Sequence, residues 1–141
     1  MKVYSDACEH AIRAVVYLAS RPRQRHTVRE IAQATHVSAG YLAKTLQTLA
    51  KAGLLEAHRG TQGGYALGRE PVAITLRDII AAIEPPHRRE PCPMGQQGPD
   101  GCNCAVHRYI DGAVAMLERR FDKATIAQMV DLAYSDDGVS K

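Results

Sequence analysis

Apolar residues recur at intervals of three and four along most of this 141-residue chain, which predicts a mainly helical protein. Residues 5–19 place Ala7, Ala11, Ala14, Val15 and Leu18 on one side, and the Arg- and Pro-containing stretch 21–26 ends that helix. The next helix opens on Thr27 with Glu30 three residues later, the spacing of a capping box, and Ile31 begins its apolar face. A connection of three residues, 35–37, leads to Ser38, a favourable N-cap; Leu42, Leu46 and Leu49 then follow at i, i+4 and i+7. Gly53 is placed to stop this helix in a left-handed cap. Two helices joined by so short a turn make a helix-turn-helix. The segments LLEAHRG and GGYALGR read as two short strands about the glycine-rich tip 60–64, and a hairpin directly after the second helix makes the motif a winged one.

Thr75 with Asp78 starts a further helix, 76–84, which Pro85 and Pro86 terminate. The character then changes: residues 85–104 hold five Pro, three Gly and three of the four cysteines, and almost no apolar side chains for a core. Beyond this loop Val106, Ile110, Ala113, Val114, Leu117 and Phe121 share one stripe of a helix roughly 27 Å long at 1.5 Å per residue. Thr125 caps a last helix, 126–133. The expected organisation is a winged helix-turn-helix unit over 1–84, a cysteine loop over 85–104, and a dimerisation helix with a C-terminal helix over 105–141.

Composition sharpens this picture in two places. Asp6, Glu9, His10 and Arg13 interrupt the first apolar stretch, so it lacks the unbroken run of a signal peptide or membrane span; a cytoplasmic protein that does not enter a membrane is expected. In a reducing compartment the four cysteines read as metal-binding or redox-active groups and not as disulfide staples. Charge is uneven: residues 1–84 carry 11 Lys/Arg against 7 Asp/Glu, and residues 85–141 carry 7 against 8. The basic first part is compatible with phosphate binding.

With the three leucines of the second motif helix facing the core, its opposite face is expected to present Ser38, Ala39, Tyr41, Lys44, Thr45 and Thr48 to double-stranded DNA. Small residues at the helix start let it sit deep in a major groove, and Arg59 on the wing is placed for the minor groove or the adjacent backbone. Thr27, Arg29 and Thr61 complete the candidate contacts. The competing reading is an ordinary helical hairpin with a solvated polar face. An enzyme is not expected, since the chain has no phosphate loop, dinucleotide fingerprint or nucleophile-plus-base set.

Here a resemblance becomes specific. The string EIAQATHVSAGYLAKTLQTLAKAGLLEAHRGTQGGYALGREP, followed by ITLRDIIAAIE, resembles the Rrf2 family of bacterial winged-helix regulators, whose members include iron–sulfur and nitric-oxide sensors. The likeness runs from MKVYSDACEHAIRAVVYLA to TIAQMVDL, nearly the whole chain. It implies a homodimer on a roughly palindromic operator, with the long helix after the cysteine loop forming the dimer contact.

Cys92, Cys102 and Cys104 lie within 13 residues, and His107 follows. Thiolates are soft ligands suited to iron–sulfur clusters, zinc or Cu(I). In cluster-bearing members of the family three loop cysteines bind the cluster, and a fourth, non-cysteine ligand comes from elsewhere, sometimes from the partner's first helix. This chain departs from that pattern: the usual middle cysteine falls where residues 95–98 stand, and Cys102 and Cys104 form a tight Cys-x-Cys pair that favours 2Fe–2S over 4Fe–4S. The fourth ligand is open between Glu9, where the resemblance places an acidic ligand, His107, which matches a ligand histidine of one branch of the family, and Cys8, whose thiolate a helix N-terminus would stabilise; His36 is a remoter option. Cys8 reads equally well as a small apolar core residue. His10, His26, His58 and His87 read as solvated or capping groups. A structural zinc site of Cys92, Cys102, Cys104 and His107, or a metal-free thiol switch, competes with the cluster. The expected function is a repressor whose operator affinity follows cluster state and so reports redox poise, nitric oxide or iron–sulfur status. The alternative is a cluster-free or zinc- or thiol-based regulator of the same fold, working through a protein partner or cysteine oxidation.

Overall fold

The computed structural model describes residues 3–84 and 104–139, with backbone only for 134–139. Among the described residues there are six α-helices and one hairpin, in the order α1 (Asp6–Ala19), α2 (Val28–Thr35), α3 (Ala39–Lys51), β1 (Leu55–His58), β2 (Gly64–Leu67), a 3-10 turn (Pro71–Ala73), α4 (Leu76–Ile83), α5 (Ala105–Lys123) and α6 (Ile126–Val139).

Local chemistry sets most of the boundaries. Ser5 caps α1 by accepting from the Cys8 N–H at 3.3 Å. Thr27 and Glu30 form the expected capping box on α2, and Thr75 and Asp78 form another on α4. Thr125 and Gln128 exchange the same pair of bonds at the start of α6. Helix α2 ends at His36 in the left-handed region (φ 58°), and the two-residue link to Ala39 turns the chain into α3. Ser38 stands at the N-cap of α3 as expected, but its hydroxyl makes no capping bond. Gly53 is left-handed (φ 81°), as its place after α3 implies.

The hairpin pairs antiparallel, Leu55 with Leu67 through His58 with Gly64. A third strand position was not legible beforehand: His26 donates to the Tyr65 carbonyl at 2.9 Å and accepts from the Tyr65 N–H at 2.8 Å. A single bridging residue has no periodicity to read. It nevertheless fixes Gly64, where an added Cβ would meet the His26 carbonyl oxygen at 2.5 Å.

The core joins α1 (Ala11, Ala14, Val15, Leu18), α2 (Ile31), α3 (Leu42, Leu46, Leu49) and α4 (Ile79) with Leu54, Leu55, Ile74 and Ile126. Ile126 is fully buried, so the C-terminal helix completes the core built by the first 84 residues. Main-chain bonds from Leu76 to Ala124 (2.8 Å) and from Ile126 to Ile74 (2.9 Å) stitch the α5–α6 joint to the start of α4. Helix α6 runs six residues beyond the expected end at residue 133, with no proline to stop it.

Helix α5 is different: none of its 19 residues is buried. At 100° per residue, Met116, Tyr109, Ala113, Val106, Leu117, Ile110, Phe121 and Val114 fall on one arc about 160° wide. Tyr109 is 83% exposed and Met116 58% exposed, so much of this apolar arc faces outward. The other side faces α4, where Arg77 pairs with Asp122 (2.6 Å) and Glu118 (3.6 Å).

Candidate DNA interface and cysteine site

Helix α3 presents Ser38, Ala39, Tyr41, Lys44 and Thr48 on its exposed side. Thr45 does not belong with them. It is only 7% exposed, and its hydroxyl turns back to the Tyr41 carbonyl at 3.5 Å. The reason is angular: Thr45 lies on the flank toward Leu49 and Leu42, roughly 40° beyond Tyr41. The same arithmetic brings in two exposed residues that the sequence reading missed, Gln47 and Lys51, which with Gly40 and Lys44 follow i, i+4, i+7 and i+11 opposite the leucines. Thr48 donates to the Lys44 carbonyl at 3.0 Å, which leaves its oxygen outward as an acceptor.

Tyr41, 43% exposed, is braced from behind: the His10 ring of α1 meets it edge to face, 5.3 Å between centroids. Thr27 and Arg29 stand exposed at the start of α2, and Arg59 and Thr61 at the hairpin tip. The tip is closed by a Gly63 N–H to Gly60 carbonyl bond of 2.9 Å, with Gly60 left-handed (φ 101°). Among the described residues, Arg29, Lys44 and Arg59 have no carboxylate partner.

Of the cysteine set, Cys92 and Cys102 lie outside the described residues. Cys104 is the N-cap of α5 and is 3% exposed; its side chain makes no capping bond. His107 follows one turn along the same helix, and its Nδ1 is enclosed without a hydrogen-bond partner. A buried ring nitrogen in that state is costly and calls for an explanation. His10 Nδ1 and His26 Nε2 share the condition, but only His107 stands one helical turn from a cysteine in the loop-proximal end of α5. Thiolate and imidazole suit a soft metal, so the two described residues fit such a group. No set of three or more His, Cys, Asp and Glu side chains comes together among the described residues, so a complete donor set would have to draw on residues outside them.

The α1 candidates are engaged otherwise. Glu9 holds Arg13 at 2.6 Å, and Arg13 in turn reaches the Thr35 carbonyl at 3.5 Å. Cys8 is fully buried, and burial, with the Glu84 carboxylate adding to it, pushes the thiol up to about 11, against the lowering a helix N-terminus would give. Ser5 opposes that shift by hydrogen bonding, while its own N–H donates to Glu84 at 2.7 Å and so ties the start of α1 to the end of α4. His36 is exposed at the helix-turn-helix connection. No described helix is long and apolar enough to cross a membrane.

A helix-turn-helix with an adjoining hairpin and an exposed, carboxylate-free polar face defines a winged-helix DNA-binding regulator. Comparison with known proteins gives the family. Residues 4–132 match the Rrf2 model, described as an iron-dependent transcriptional regulator, and the chain belongs to the Rrf2 family of DNA-binding transcriptional regulators. An HTH-type transcriptional regulator of Aquifex aeolicus is 28% identical over 136 residues, 92% of each chain. Among solved structures, T. potens IscR superposes with a TM-score of 0.77 at 28% identity, covering 94% of this chain and 88% of its own. CymR, the global cysteine regulator of B. subtilis, superposes with a TM-score of 0.74 at 28% identity, covering 94% and 98%.

Proposed function

We propose that this chain is a cytoplasmic, homodimeric repressor that binds a palindromic operator and whose affinity follows the state of the cysteine site. Ser38, Ala39, Tyr41, Lys44 and Thr48 read the major groove, with Gln47 and Lys51 beside them. Thr27 and Arg29 hold the backbone, and Arg59 and Thr61 on the wing reach the flanking groove. The exposed apolar arc of α5 packs on its counterpart in a second copy, which sets the spacing of the two α3 helices.

Cys92, Cys102 and Cys104 with His107 hold an iron–sulfur cluster, which when bound supplies one-electron redox chemistry and iron that reacts with nitric oxide. The close Cys102–Cys104 pair favours 2Fe–2S over 4Fe–4S. The observation that carries this reading is the enclosed, unbonded Nδ1 of His107 one helical turn from buried Cys104. It favours His107 over Glu9, which is paired with Arg13, and over Cys8, which is sealed in the core. Likeness to IscR and the family's iron-dependent description support it. The equal identity to CymR favours one second reading, a regulator without a cluster, acting through bound zinc, thiol oxidation or a partner protein.

Purification without oxygen separates the two. The cluster reading expects a coloured dimer with stoichiometric iron and acid-labile sulfide, lost in Cys104→Ala and strongly diminished in His107→Ala. Operator affinity should then differ between loaded and cluster-free protein, with little change on mixed-sequence DNA. A colourless, iron-free protein under the same handling selects the second reading.

A further inference from the structure

The turn between α1 and α2 is rich in arginine. Residues 20–30 carry Arg21, Arg23, Arg25 and Arg29 against one carboxylate, Glu30, so three of the four net positive charges of residues 1–84 sit in this short stretch. Glu30 is already committed: its Oε2 accepts from the Thr27 N–H at 3.3 Å and lies 3.2 Å from His26 Nδ1. Residues 21–25 are all exposed, and among the described residues none of the four arginines has a carboxylate partner, whereas Arg13 and Arg77 both do.

The turn is also held in place. The Arg21 guanidinium lies 4.3 Å from the centroid of the Tyr17 ring and donates to the Ser20 hydroxyl at 2.9 Å. Stacking on one face steadies the fork and leaves its remaining donors outward, the arrangement that suits a phosphate. Tyr17 meets His26 edge-on at 5.1 Å between centroids, and His26 is bonded on both sides of its main chain to Tyr65. The order across the sheet is therefore β1, β2, His26, and the arginine turn flanks the wing on the edge away from β1. Because the bridge is antiparallel, Thr27 falls beside Gly64 at the tip end and Arg25 beside Ala66. A cationic strip thus leads along the side of the hairpin to Arg29 at the start of α2. A fixed row of like charges, unbalanced by carboxylates and next to a wing, suits a polyanion with regularly spaced phosphates.

We infer that Arg21, Arg23 and Arg25 form a second phosphate-binding element, which grips the DNA backbone outside the half-site contacted by α3. The inference rests on the reading of α3 and the wing as the DNA surface. The test uses the full-length protein, a mixed-sequence 40-bp duplex, and a duplex that the protein itself selects from a randomised pool, with flanks of differing length. R21Q/R23Q/R25Q should flatten the plot of log affinity against log salt by about 0.9 for each phosphate lost, about 2–3 in all, on both duplexes. R21K/R23K/R25K should keep most of the slope. Shortening the flanks should weaken wild type toward the glutamine variant and leave that variant unchanged. Single variants, each giving about a third of that change in slope, serve if the triple variant melts early. DNA binding with equal slopes in wild type and variant, or a wild type indifferent to flank length, overturns the inference and leaves the α3 reading standing. A wild type that binds neither duplex overturns both.

Discussion

Cys8 and Cys104 show how little residue type alone decides. Both are buried cysteines, yet Cys8 sits inside α1 against the core while Cys104 caps a helix that buries nothing. Because the Cys8 thiol is raised from about 9 to about 11, folding favours its protonated form. That contribution is complete below the unfolded value and is lost as pH climbs through the folded one. Stability should therefore fall between about pH 9 and 11 more steeply in wild type than in Cys8→Ala, followed by denaturant melts across that range. Iodoacetamide labelling at neutral pH, read by mass spectrometry, should spare Cys8 until denaturant is added. The sequence offered both readings of Cys8, dipole-stabilised thiolate and small core residue. It could not choose, because the burial that raises the thiol is made by packing across the chain, to which Glu84, 76 positions away, adds its charge. Thr45 was misjudged for a nearer reason: a polar residue at the border of a helix face looks like its exposed neighbours until the angle is counted.

At the scale of elements, most of the fold was legible. Capping boxes at Thr27 and Thr75, the left-handed Gly53 and the glycine-rich hairpin tip are local chemistry, and the leucine spacing of α3 is unambiguous. What escaped was structure made by one or a few residues, namely the His26 bridge and the 3-10 turn Pro71–Ala73. The bridge predicts a specific weakness. Gly64→Ala puts a methyl against the His26 carbonyl at a positive φ (142°), and should cost about 2 kcal/mol or more in thermal or denaturant unfolding. Thr75→Ala, which removes one capping box, should cost about 1 kcal/mol in the same assay.

For the whole molecule, the division into a DNA-binding part and a dimerisation part does not coincide with how the core is built. Ile126 is fully buried among residues of the first 84, so Ile126→Ala should cost about 2–5 kcal/mol and destabilise the winged helix from beyond the cysteine loop. The outward arc of α5 carries the opposite expectation. Ile110→Glu should leave the melting of each subunit nearly intact but yield monomers in sedimentation, with operator affinity falling as the second half-site is lost. The apolar spacing of α5 was plain in the sequence; how much of the stripe faces outward, with Tyr109 and Met116 well exposed, was not, because that depends on where α1, α4 and α6 close the core.

Helix α5 is anchored to the core at its C-terminal end. Arg77 grips Glu118 and Asp122, and the main-chain bonds at Ala124 and Ile126 hold the following joint, whereas Cys104 begins the other end. Nineteen residues make a rod of about 28 Å, so a tilt of about 5° about that joint displaces the opposite end by about 2.5 Å. Any change of tilt about that joint is therefore felt most at the cysteine that begins the helix.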